Sequence, residues 1–169
     1  MGNFFTAYIS QTVNTGLAIN TGVFALIAGA GRNINIWRLD FQIANSGAAG
    51  AASSRLGISM RRCAAGTFTG GGAGVVAPVV PGQVAVATSI FATAGLGASA
   101  TGDKLYLAGH PGILVGQSIF VFDRIRQHQA SDIPMAVVRA TQQFALVLDV
   151  ASPAAGTYDL TGSITFEES

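Results

Sequence analysis

Between Gln142 and Glu167 the side chains alternate with a period of two, and this alternation constrains the fold more than any other feature of the chain. Phe144, Leu146, Leu148 and Val150 share one parity. After a break at Ser152, Pro153 and Gly156, a second run places Tyr158, Leu160, Gly162, Ile164 and Phe166 on one parity. Asp159, Thr161, Ser163, Thr165 and Glu167 fill the other. Successive side chains of a strand point to opposite faces, so the pattern predicts two long, half-buried strands. Ser, Pro and Gly favour turn geometry, and the two strands therefore read as an antiparallel hairpin.

The same reading extends along the chain. Asn3–Val13 is expected as a first strand or as an N-terminal arm laid on a neighbouring subunit, and Leu17–Ala28 as a strand with its odd positions apolar. In Asn33–Ala44 the alternation changes phase: Ile34 and Ile36 share one parity, while Trp37, Leu39, Phe41 and Ile43 share the other. One extra residue near Ile36 and Trp37, a β-bulge, would restore a single buried face. Further strands are expected at Arg55–Cys63, Asp103–Ala108, Ile113–Arg126 and Met135–Ala140, with Val84–Ala94 a strand or a short helix. Gly66–Gly82 reads as a long irregular loop, because its Gly and Pro content opposes helix and central strand. His110, Pro111 and Gly112 read as a tight turn. The expectation is one all-β domain over residues 1–169, a β-sandwich or jelly roll of about eight or nine antiparallel strands.

Composition then narrows what such a domain could do. Only 10% of the residues are charged, against about 25% in ordinary soluble domains. No apolar run approaches the length of about 20 residues that a membrane-spanning helix needs. A mild surface of Gly, Ala, Ser and Thr suits a subunit packed against neighbours. The net charge of +1 gives no polyelectrolyte argument for nucleic acid. The first residues lack a basic segment and a continuous apolar core, which predicts no secretory signal. Gly2 and Thr6 match the M-G-x-x-x-[ST] acylation pattern, but Phe4, Phe5, Tyr8 and Ile9 fit a strand or docking arm instead.

Chemistry-bearing constellations are sparse. Gly72, Gly74 and Ala77, and again Gly95, Gly97 and Ala100, fit G-x-G-x-x-A. That motif binds a dinucleotide only between a strand and a helix, and prolines follow the first match while a strand follows the second. No P-loop and no G-x-S-x-G elbow is present. His110, His128, Asp123 and Asp132 show no ligand spacing, and Cys63 is the only cysteine. The sequence thus predicts no catalytic residue, no metal and no cofactor. Charged candidates for subunit contacts are Arg55, Arg61 and Arg62, with Arg124 and Arg126, because arginine suits protein interfaces. Phe4, Phe5 and Tyr8 are the apolar candidates, and Trp37 or Tyr106 could line a sugar site.

Three stretches resemble the head decoration, or cement, proteins of tailed bacteriophages, which have a jelly-roll core. The first is RNINIWRLDFQIANSGAAGAASSRLGISMRRCAAGTFTG, the second FDRIRQHQASDIPMAVVRATQQFALVLDVA, and the third the ending GTYDLTGSITFEES. Together they cover about half the chain. The resemblance implies a non-enzymatic virion protein on the outer capsid surface, made in the host cytoplasm. Its partners would be the major capsid protein and its own copies, as a trimer or else a dimer, with neither nucleic acid nor membrane involved. A phage tail or adaptor subunit and a carbohydrate-binding jelly roll are the alternatives. The Gly66–Gly82 loop and the N-terminal arm are the expected docking elements.

Overall fold

The computed structural model describes residues 3–14, 16–45, 56–92, 95–96, 102–110, 117–123, 134–149 and 157–169. Eight strands of six residues or more carry the architecture: β1 (Asn3–Asn14), β2 (Gly22–Ile27), β3 (Ile34–Asn45), β4 (Leu56–Ala64), β8 (Gly102–His110), β9 (Gln117–Asp123), β11 (Gln142–Leu148) and β12 (Thr157–Glu168). Four shorter ones complete the chain order: β5 (Gly72–Ala73), β6 (Val76–Pro78), β7 (Thr88–Phe91) and β10 (Ala136–Val138). They form two antiparallel sheets. In the first, β6, β1, β12 and β3 lie side by side, and the far edge of β3 is taken by β9 and β10. In the second the order is β5, β7, β2, β11, β4, β8.

The pairing is concentric. β1 lies against β12, β2 against β11, β3 against β9 and β4 against β8. A long antiparallel ribbon rolled into two facing sheets gives this order, and the result is a jelly-roll sandwich. The topology corrects the hairpin read between Gln142 and Glu167. β11 has both edges occupied by β2 and β4, and β12 has both occupied by β1 and β3. The two strands therefore belong to opposite sheets. β11 is not half buried either, because every side chain from Gln143 to Leu148 is buried. Its inward Phe144, Leu146 and Leu148 join the core. Outward Ala145 and Val147 lie in a second cluster with Ala25, Cys63, Phe68 and Leu96.

Residues 3–14 are a first strand and not an arm. Phe5, Ala7, Ile9 and Val13 point into the sandwich and are buried, and the Phe5 and Phe166 rings meet at 5.8 Å between centroids. The phase change in β3 is a bulge. Thr165 faces Arg38 and Phe166 faces Ile36, which leaves Trp37 as the inserted residue. Ile34 and Ile36 then share the buried face with Leu39, Phe41 and Ile43. The second predicted strand is shorter than its alternation suggests. Ile19 is exposed and Asn20 adopts a φ of 67° in a turn, so the strand starts at Gly22. Within Val84–Ala94, Thr88–Phe91 is strand and not helix. β8 runs on through His110, whose backbone pairs with Leu56, so His110 belongs to a strand.

Candidate interaction surface

Of the residues nominated from sequence, Arg61 and Phe5 are spoken for inside the fold. Arg61 is buried on the outer side of β4. Its Nε donates to Ser59 Oγ at 3.0 Å and an Nη to Asn20 Oδ1 at 2.9 Å, with Asp149 Oδ1 3.3 Å away. A guanidinium held this way fixes the Asn20 turn against the end of β11 and cannot reach a partner. Strand parity assigned Arg61 a face, but it could not reveal that the face is covered. Arg62 points the other way and donates to Val137 O at 3.2 Å and to Asp103 Oδ2 at 2.9 Å, at a partly exposed position. Arg55, Arg124 and Arg126 lie outside the described residues. So do His128 and Asp132, and no group of three metal-ligating side chains occurs among the described residues. Trp37 is buried, which removes it as a platform for a sugar ring. The Gly72, Gly74 and Ala77 match spans β5 and β6, and no helix follows it among the described residues.

Residues 66–87 are not a slack loop. Phe68 is tied to Gln143 by a reciprocal pair: Phe68 N–H donates to Gln143 Oε1 at 2.9 Å, and Gln143 Nε2 donates to Phe68 O at 3.0 Å. Gly74 N–H donates to Ser89 O at 2.8 Å, which anchors the chain at the edge of the second sheet. It then crosses to the first sheet. Tyr8 N–H donates to Val75 O at 3.0 Å and Val79 N–H to Phe4 O at 2.9 Å. Gln83 Nε2 reaches Asn3 Oδ1 at 3.0 Å, and the buried Glu168 carboxylate accepts from Val86 N–H and Ala87 N–H at 2.9 and 2.7 Å. A Cβ on Gly29 would collide with Val86, so glycine there lets the strap close onto the end of β2. The strap thus bridges the two sheets along one side of the sandwich.

What this rigid strap presents is apolar. Val75, Val79, Val80, Val84 and Val86 are 47 to 86% exposed, with Val84 the most open. Residues directly opposite on neighbouring strands share a face. The β1–β6 register therefore sets Val75 beside Tyr8, which is 50% exposed, and Val79 beside half-buried Phe4. Phe4 and Tyr8, two of the aromatic residues nominated from sequence, thus share one face with Val75 and Val79, and Val80, Val84 and Val86 are exposed farther along the strap. No charged residue occurs between Arg62 and Asp103, so the strap itself carries none. Tyr8 and Val75 give way along β1 to a polar face. There Thr12 Oγ1 donates to Asp159 Oδ1 at 2.6 Å, and Ser163 and Arg38 bond to Asp40.

The free edge of β6 is closed to a further strand. The bonds at Val75 and Val79 turn the odd residues toward β1, which leaves Pro78 with its nitrogen outward. Proline has no N–H to offer an added strand, a common protection of sheet edges. A partner here must pack on side chains. The patch was legible in part: the Gly- and Pro-rich run was flagged for docking, but its attachment to β1 was not, since two- and three-residue edge strands leave no period to read. Comparison of the chain with protein-family models, with curated proteins and with solved structures returns no match.

Proposed function

We propose that the protein is a virion structural protein that decorates and stabilises an icosahedral phage capsid, binding the outer shell as an oligomer. The observation that carries this reading is the Phe4–Tyr8–Val75–Val79 patch with its extension through Val80, Val84 and Val86. Its strap side is apolar and uncharged, it is held in place by hydrogen bonds from both sheets, and Glu167, opposite Phe4 on β12, borders it. A surface already fixed in its binding shape loses little conformational entropy on association. Exposed aliphatic side chains on a well-tied strap have no role inside the fold, and they suit burial against another protein. The sequence resemblance to decoration proteins supports the same conclusion, with the major capsid protein as partner. A ligand that binds only the assembled shell stabilises it by linkage.

The test is co-sedimentation of the purified protein with capsids that lack it. Saturable binding, with particles surviving heat or chelation that disrupts bare ones, is the expected result. Absence of binding at concentrations where the protein stays folded would defeat the proposal.

A further inference from the structure

We propose that residues 80–87 form a latch, a unit that opens and closes over one end of the sandwich while both sheets stay intact, and that the Glu168 carboxylate is the clasp that holds it shut. The latch stands on its own geometry. Its consequence for the shell rests on the decoration reading, since the exposed Val80, Val84 and Val86 keep their binding shape only while it is closed. Upstream, the strap is bonded to β1 at Val75 and Val79, and downstream it joins β7 at Thr88. Between these points the chain turns at Val80–Gln83, where Gly82 takes a φ of 87° and Gln83 N–H points back to Val80 O. Among the described residues, two side chains supply every hydrogen bond from 83–87 to the rest of the protein. One is Asn3, which accepts from the Gln83 side chain at the surface. The other is Glu168, which accepts from Val86 N–H and Ala87 N–H.

The energetics favour a separable unit. No strand pairing includes residues 80–87, so opening breaks no ladder. The apolar hold is slight: Ala85 and Ala87 turn toward the core with one methyl each, while the larger valines face outward. What remains is the clasp. Glu168 is the one buried carboxylate among the described residues, and its hydrogen-bond partners there are the two strap amides. A buried charge must be paired, and N–H groups bonded to a carboxylate make stronger bonds than neutral pairs do. The closed strap supplies that pairing. Opening hands the carboxylate to water at the end of β12, so the unit opens without leaving a bare charge in the interior. A segment tied by few bonds and little apolar area opens locally before the domain unfolds.

Amide hydrogen exchange on the full chain tests the latch. The expected result is exchange at Val86 and Ala87 about 100-fold faster than at Phe144 and Leu146 in β11, which has strands on both edges, yet slower than in an unstructured peptide. Equal rates at these sites would mean that the strap opens only with the whole domain, which overturns the inference whether or not any variant folds. Glu168→Ala should speed exchange at Val86 and Ala87 by about 10-fold and leave β11 unchanged. Glu168→Gln keeps an acceptor oxygen at the same place and should restore most of the protection. Protection that stays in Glu168→Ala, or that falls equally across both sheets, overturns the clasp. Co-sedimentation with capsids separates this inference from the decoration reading. Binding that weakens in Glu168→Ala and returns in Glu168→Gln supports both. Equal binding by the wild type and an open Glu168→Ala variant overturns the latch as a control of docking and leaves decoration standing. A wild type that binds no capsid removes the decoration reading, and the exchange rates then decide the latch alone.

Discussion

At the scale of single residues, three buried polar side chains, Gln143, Arg61 and Glu168, do most of the positioning. Gln143 sits in the centre of the second sheet and holds Phe68 by both its amide groups. Gln143→Leu leaves a buried N–H and C=O without partners, and we expect a loss of about 2–4 kcal/mol in chemical denaturation. The tilt of the stability curve at high pH has two identifiable sources. Burial pushes the Tyr158 phenol above its ordinary range, and burial raises the Cys63 thiol, with Arg61 pulling it back and Asp103 adding to the rise. Both folded values lie above the unfolded ones. The folded state therefore holds these protons where the unfolded state releases them, and stability falls as pH rises past about 9 for Cys63 and about 10 for Tyr158. Tyr158 Oη has no hydrogen-bond partner among the described residues. Tyr158→Phe should accordingly change stability at neutral pH by less than about 1 kcal/mol. A denaturation series from pH 7 to about 11 should find the loss in this variant confined to the Cys63 component. An unchanged alkaline slope would mean that Tyr158 ionises as freely in the folded chain as in the unfolded one.

At the scale of elements, β1 and the strap are the informative pieces. β1 is flanked by β12 along its whole length and by β6 at its start, and it contributes Phe5, Ala7 and Ile9 to the core. Removing Gly2–Ser10 should abolish the cooperative thermal transition, because buried aromatic and aliphatic positions cost several kcal/mol each when emptied, about 3–5 for a phenylalanine. A folded, soluble deletion product would return the segment to the status of an arm. How much of this was legible depends on how local the signal is. The Trp37 bulge could be read because a phase change is written in the strand itself. The opposite placement of β11 and β12 could not, since alternation reports a strand's own faces and says nothing about which neighbour it pairs with. Arg61 looked available from parity, yet Asn20 and Asp149 hold it, and Trp37, the inserted residue of the bulge, is buried. The strap looked irregular because Gly70, Gly71, Pro78 and Pro81 mask two short edge strands whose existence depends on β7 and β1.

At the scale of the whole molecule, the jelly roll sorts its surfaces by polarity. The core lies between the sheets, a smaller cluster under Phe68 and Leu96 seals the back of the second sheet, and the uncharged strap runs along one side. If that side binds the shell, the contact is apolar, and its strength should not fall between low salt and about 0.5 M, where surface charge pairs are heavily screened. Co-sedimentation with capsids across that range checks this. Dissociation by salt would move the contact to the arginines. The most direct test of the account is imaging of capsids that lack the protein after they are saturated with it. The expected result is density at regular lattice positions on the outer shell, with the Val75–Val86 side of the sandwich covered. Bare shells, or bound protein whose Val75–Val86 side stays open to solvent, would contradict it.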